Sequence, residues 1–352
     1  MSKPSITIIG AGISGLSLAE FLRRQGVEPT ILEKRREAGG VINSLNESGF
    51  TYDFGSNSAI EKNEAILALF DGLDIEEELL YANAEASKRY ILKNNKLHSL
   101  KGPASILLTS LFSFRAKLRM FGEFRVPPKT TDEDESLADF VRRRFGREVL
   151  DYAVNPLISG IHAGDPKHIS LKAGFPEVAS LEQEYGSVIK GIGKKAKERK
   201  AQNEARESRK AKGEKVYEPT RNIFSFKHGM QTLPRRLAAQ QPNLLYNAAV
   251  SSVEKLPEGF RVYYHYNGQE RQLDTDVLIN TAPAYKAAQV FQSLDSTLAG
   301  HLERIYYPPM VVLNLAYRKE DIGRKLDSFG FLIPEKEGKA FLGAIWSSSI
   351  FN

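Results

Sequence analysis

The chain opens on a β-branched run, Ile6, Thr7, Ile8 and Ile9, that stops at a glycine. β-Branched side chains crowd a helix and suit a pleated strand, so the run predicts a strand. Leu16, Ala19, Phe21 and Leu22 follow as the apolar face of a helix that Gly26 ends. The apolar stretch of EPTILEK then predicts a second short strand finishing at Glu33. Strand, helix and strand in this order open a parallel α/β sheet. Farther on, DESLADFVRRRFG predicts a helix with Ser136 as N-cap, Asp139 three residues later and Gly146 as its stop. RVYYHYNG reads as plain sheet, and Ser347, Ser348 and Ser349 as strand and turn. No internal repeat is evident.

The turn between the first strand and helix carries the chemistry. Gly10, Ala11, Gly12, Ile13, Ser14 and Gly15 spell Gly-x-Gly-x-x-Gly. The first glycine allows a tight turn, the second removes a side chain where a pyrophosphate approaches the backbone, and the third lets helix and strand pack closely. The helix N-terminus offers free amides to the phosphates. Glu33, with Lys34 beside it, ends the second strand where a carboxylate accepts from adenosine ribose hydroxyls. The pattern with its strand, helix and acid predicts a dinucleotide site.

NAD and FAD share that fingerprint. The doublet Gly39–Gly40 and the stretch VINSLNESGFTYDFGSNS after it resemble the extension of FAD oxidoreductases in the amine oxidase superfamily. By that resemblance Gly40 and Val41 turn back past ribose and pyrophosphate, and Gly55, Ser56, Asn57 and Ser58 meet the flavin ring. A glycine doublet alone is also an ordinary loop. The block ISGIHAGDPKHISLKAGFPEVASLEQEYGSVIKG and the later GMQTLP are similar to those of the protoporphyrinogen oxidase family, as are DVLINTAPA and IYYPPMVVLNLAY, matched to its next two strands. The resemblance implies an FAD-dependent oxidase of protoporphyrinogen IX or coproporphyrinogen III in haem synthesis, losing hydride to flavin with oxygen or a quinone as final acceptor. It gives no side chain a covalent or acid–base role. Arg89 matches an arginine that pairs with a substrate propionate, Leu332 and Phe351 match apolar positions flanking the macrocycle, and Val250, with Val253 as rival, matches a backbone contact to adenine. Surface charge for Arg89 and core packing for Leu332 and Phe351 stand as alternatives. His162 replaces an aromatic residue, and Asn43 an arginine near the flavin.

The implied architecture is α/β. A Rossmann-like FAD-binding domain (1–54 and 228–290) accompanies a mixed-sheet substrate domain (55–100, 215–227 and 296–352) and a helical lobe (101–214). The resembled pattern continues past WSSSIFN with a strand, turn and helix closing over the cofactor, so a truncated and inactive form is one expectation. An amine oxidase or carotenoid desaturase is another.

Composition narrows the rest. With 352 residues there is room for about two domains of ordinary size. The absence of cysteine excludes disulfides, thiolate metal sites and cysteine nucleophiles. His162, Asp165 and His168 flank a Gly-Asp-Pro turn that breaks helical register, so no metal is expected. The net charge is +6, and the segment from Lys190 to Arg221 alone carries twelve Lys or Arg against five Glu. KKAKERKAQNEARESRKAKGEK within it reads as a solvated helix or disordered linker, and its lack of aromatic interleaving disfavours nucleic acid. Leu107, Leu108, Leu111, Phe112 and Phe114, followed by Arg115, Lys117 and Arg119, suit either a helix lying in a bilayer interface or a buried core helix. Docking on membranes by this region is what the resemblance implies. No apolar run approaches the roughly 20 residues of a spanning helix, and no secretory signal opens the chain. A cytoplasmic setting is expected, peripheral to the membrane at most.

Overall fold

The computed structural model describes residues 3–84, 88–100, 105–213, 216–217 and 220–351. The expected boundaries at 101, 214 and 215, the two chain ends and the side chain of Leu107 lie outside the described residues. The chain divides into two compact units, Met1–Tyr81 with Tyr217–Tyr307 and Val311–Leu315, and Ala82–Val216 with Pro308–Met310 and Ala316–Asn352. This partition differs from the three regions expected: residues 55–81 and 296–307 pack with the first unit, and the helices share the second unit with a sheet.

The first unit is built on strand β1 (Ile6–Ile9), helix α1 (Ile13–Arg24) and strand β2 (Thr30–Leu32). They belong to a parallel sheet in the order Leu244–Leu245, β2, β1, Val277–Asn280. Ile8, Leu16, Ala19 and Ile31 are fully buried between sheet and helix. Each such large side chain contributes about 1.5–3 kcal/mol on burial. Phe21 departs from the expected apolar face: it is 37% exposed, with the Arg24 guanidinium over its ring. The inward position beside it is taken by Glu20, buried and bonded to Arg23, Arg24 and Gln241. An antiparallel meander of Ala248–Lys255, Phe260–Tyr266 and Gln269–Thr275 belongs to the same unit. So do the hairpin Ser44–Glu47/Phe50–Asp53 and a three-stranded sheet whose Phe224 and Phe226 pack edge-on against each other and against Phe70.

The second unit carries a mixed sheet in the order Gly343–Ile345, Gly330–Leu332, Arg89–Lys93, Lys96–Leu100. Helices supply the rest of its core. Ser136 caps the helix Leu137–Arg144 as expected, accepting from the Asp139 amide at 3.0 Å. Gly146, at φ 95°, follows the helix end, and a further helical stretch starts at Arg147. Of the basic segment, the part up to Ala211 lies in one helix, Val188–Ala211. Ser347–Ile350 is a short helix rather than strand and turn.

One expected strand does not form. The VVLNLAY stretch is exposed at every position and pairs with no strand among the described residues. Alternating apolar residues become a strand only where a neighbour takes up their amides and carbonyls, and here none does.

Candidate functional site

The glycine turn follows directly from how tightly β1 meets α1. A Cβ on Gly15 would lie 2.1 Å from the Gly10 carbonyl oxygen, so only glycine lets the helix sit there. Gly10 adopts φ 103°, a left-handed conformation, and its N–H donates to the Leu32 carbonyl at 2.9 Å. Thr281, just beyond the strand Val277–Asn280, braces the turn: its hydroxyl donates to the carbonyls of Ile9 (2.8 Å) and Gly10 (3.1 Å). Its role was not foreseen from sequence, where it is one polar residue in NTAPA. Helix α1 starts after Gly12 with no side-chain cap and no acid in its first turn. Ile13 and Ser14 therefore begin a helix whose first amides and positive dipole end suit an anion.

Glu33 is buried beside this turn, its Oε2 accepting from the Ala11 amide at 2.7 Å and its Oε1 from the Arg35 amide at 2.9 Å. Two backbone donors fix the carboxylate and leave it lone pairs for ribose hydroxyls. Lys34 is exposed next to it. The Gly39–Gly40 loop lies on the glycine turn: the Gly39 amide donates to the Ala11 carbonyl at 2.9 Å, and a Cβ on Gly40 would come within 3.2 Å of the Gly12 Cα. The Gly40 carbonyl accepts from the Arg35 guanidinium (2.6 Å) and from the Asn43 amide (3.0 Å). Asn43 thus closes the loop, while Val41 stands exposed at its tip. A Cβ on Gly55 would lie 2.2 Å from the Val41 carbonyl oxygen, so the stretch expected past the pyrophosphate touches the one expected at the flavin. Ser56 and Ser58 bond within the same turn, to the Ser58 carbonyl and to Asn57. Val250 sits at a bulge, where the pairing skips from Val250 to Ser252, and packs with Leu32 and Val262. Val253 is buried. This glycine-lined cradle with an uncapped helix end and a fixed carboxylate fits the ADP part of FAD.

In the second unit, side chains alternate across the strand Arg89–Lys93, which puts Arg89 on the face of Ile91, and Leu332 pairs with Ile91. Arg89 and Leu332 therefore share one face of the sheet. Leu332 also packs on Gly160, where a Cβ would meet its Cδ2 at 2.5 Å. Tyr90, Phe331 and Trp346 occupy the other face. The Arg89 guanidinium lies over the Phe329 ring, 5.1 Å from its centroid, and among the described residues no carboxylate pairs with it. Burial pulls its pKa below the ordinary arginine value. Phe351 is half-buried at the end of the short helix after Trp346, whose amide donates to the Phe329 carbonyl at 3.0 Å.

His162 is exposed and meets the Phe175 ring edge-on, while Asp165 lies 3.7 Å from His168. The segment read as either interfacial or buried is buried on one side and exposed on the other. Leu111 and Phe112 are buried, as are Ala116 and Met120 on the inner side of helix Phe114–Phe121. Phe114, Leu118 and Phe121, spaced four and three residues apart on the outer side, are exposed.

Residues 13–351 match the family described as flavin containing amine oxidoreductase. The chain is 32% identical to the chloroplastic protoporphyrinogen oxidase of Nicotiana tabacum, over 98% of its own length and 64% of that protein's. It is 30% identical to protoporphyrinogen oxidase 2 of Arabidopsis thaliana, over 100% of its length and 72% of that protein's, and 28% identical to the coproporphyrinogen III oxidase of Bacillus subtilis, over 98% and 73%. The chain thus spans under two thirds of the tobacco protein. Its fold is similar to that of a protein from Exiguobacterium sp. 255-15 with a provisional protoporphyrinogen oxidase name, at TM-score 0.71 and 19% identity over 100% of this chain and 74% of that one. Putrescine oxidase is similar at TM-score 0.54 and 16% identity, over 82% and 60%.

Proposed function

We infer the function from one premise: this chain belongs to the flavin-containing amine oxidoreductase family. Its dinucleotide cradle is an FAD site. We propose that the chain oxidises a porphyrinogen, protoporphyrinogen IX or coproporphyrinogen III, to the porphyrin in haem biosynthesis, with oxygen or a quinone as final acceptor. Bound FAD supplies the two-electron acceptor. The chain's own part is to bind and orient. Gly10, Gly12 and Gly15 admit the pyrophosphate, Glu33 holds the ribose, and Arg89 holds a substrate carboxylate above Phe329 and beside Leu332.

The observation that carries this reading is the Arg89 guanidinium on an apolar sheet face, which no carboxylate among the described residues pairs. A cation partly drawn out of water with no partner among the described residues favours an anionic ligand, and a propionate on an apolar macrocycle supplies both the charge and the apolar contact. Putrescine, a dication, would be repelled there, and a carotenoid offers Arg89 nothing. The test is porphyrin fluorescence from the FAD-supplemented chain given each porphyrinogen in turn, with putrescine and phytoene as rivals, in air and anaerobically with a quinone. Porphyrin formation above the spontaneous rate is expected. Turnover of putrescine or phytoene alone would overturn the reading.

A peripheral seat at the cytoplasmic face of a membrane is part of the proposal. The exposed Phe114, Leu118 and Phe121, flanked by Arg115 and Lys117, support it. Among the described residues no helix is long and apolar enough to cross a membrane.

A further inference from the structure

We propose that Gln231 is a positioning residue for the cofactor, a clasp that holds both ends of the loop lying on the pyrophosphate turn; this rests on the FAD reading above. The Gln231 side chain is buried, and it bonds to the loop on either side of the Gly39–Gly40 doublet. On the far side, the Ser44 amide donates to Gln231 Oε1 at 3.0 Å, and the Gln231 backbone N–H donates to Ser44 Oγ at 3.0 Å. On the near side, Gln231 Nε2 donates to the Ala38 carbonyl (3.4 Å) and to Glu37 Oε2 (3.3 Å). Between these anchors the side chain runs beneath Gly39, where a Cβ would meet its Cγ at 3.7 Å.

The clasp is itself held. Ser44 Oγ donates to Asp53 Oδ1 at 2.5 Å, and the same oxygen accepts from the Met230 amide at 3.0 Å. Gly229 makes this approach feasible: at φ 86°, a Cβ there would lie 2.4 Å from Ser44 Oγ. One residue far along the chain therefore fixes the span of Ala38 to Ser44, and with it Gly39 against Ala11, Gly40 against Gly12, and Val41 against Gly55. A primary amide suits this task because it donates at one end and accepts at the other, with the loop's two anchors on opposite sides. Leucine or methionine would fill the same volume, lose both side-chain anchors and keep only the backbone N–H bond to Ser44 Oγ.

The decisive variant is Gln231→Met, nearly isosteric, with Ser44→Ala as a milder second probe should the first fold poorly. In the cofactor-free full chain, hydrogen exchange at the amides of Ile42, Asn43 and Ser44 is expected to quicken about tenfold or more in Gln231→Met, while β1 and α1 keep wild-type rates. FAD, titrated by quenching of its fluorescence, is expected to bind about tenfold more weakly. The visible band shape of the bound flavin should shift, a signature that a volume-filling role leaves unmoved. Unchanged loop exchange and unchanged FAD affinity would overturn the proposal, as would acceleration spread equally over β1 and α1. Should wild type itself bind no FAD, the cofactor reading fails while the exchange pattern still decides the clasp.

Discussion

Two arginines in the second unit, one fully buried and one half-buried, meet opposite fates. Arg144 is fully buried and saturated: it donates to Glu123 at 2.6 Å, to Glu182 at 2.5 and 2.9 Å, and to the carbonyls of Val126 and Gly186. Glu123 in turn accepts from the Ser187 hydroxyl and from the Val188 amide, tying the root of the long basic helix to the same knot. Arg89 is partly drawn out of water against Phe329, and among the described residues no acid meets it. A desolvated charge that the fold satisfies is part of the fold. One that the fold leaves open is an invitation to a ligand.

The largest effect should come from breaking the satisfied member. Arg144→Met leaves buried Glu123 without a cation and Glu182 with Arg143 alone, and is expected to cost about 3–5 kcal/mol, read from urea unfolding of the intact chain. Arg89→Ala should reverse the pattern. Unfolding free energy is expected to change by less than about 1 kcal/mol, because among the described residues only the Phe329 ring contact and no hydrogen bond or ion pair is lost, while KM for porphyrinogen rises about 10- to 100-fold. Arg89→Lys should recover only part of that, having lost the planar fork. If Arg89→Ala instead unfolds the chain and leaves KM alone, the distinction between the two arginines collapses.

The gentlest probe is acid. Burial acts to raise the pKa of the Glu182 carboxyl, but hydrogen bonds from Arg143 and Arg144 outweigh it and hold the carboxyl below its ordinary value of 4.5. A depressed folded pKa stabilises above the unfolded value and loses that contribution as pH falls through the folded one. The melting-temperature gap between wild type and Glu182→Gln is therefore expected to be constant above about pH 5 and to narrow below it. A gap that widens on acidification would contradict this assignment.

The opening turn was legible in sequence because its demands are local. Gly10, Gly12 and Gly15 are spaced by the geometry of one strand meeting one helix, and Glu33 by the length of that helix. The clasp was not legible, because Gln231 meets Ala38 and Ser44 across nearly two hundred intervening residues, and no spacing rule connects them. Arg142, Arg143 and Arg144 look alike in DFVRRRFG. Only helical phase, with Leu137, Phe140 and Val141 inward, places the third among the buried residues. VVLNLAY misled for the converse reason: its pattern states a propensity, and a strand also needs a partner.

That unpaired stretch has a consequence for handling the protein. From Met310 to Tyr317 the chain has neither charge nor proline, and Val311, Leu313, Leu315 and Tyr317 are each at least 69% exposed. Short, uncharged, β-prone windows of this kind recruit copies of themselves. Only the Pro308–Pro309 pair on one side and Arg318 with Lys319 on the other act as gatekeepers. Self-association is expected at this window, and Leu313→Lys is expected to raise the concentration at which the chain stays monodisperse, read by light scattering.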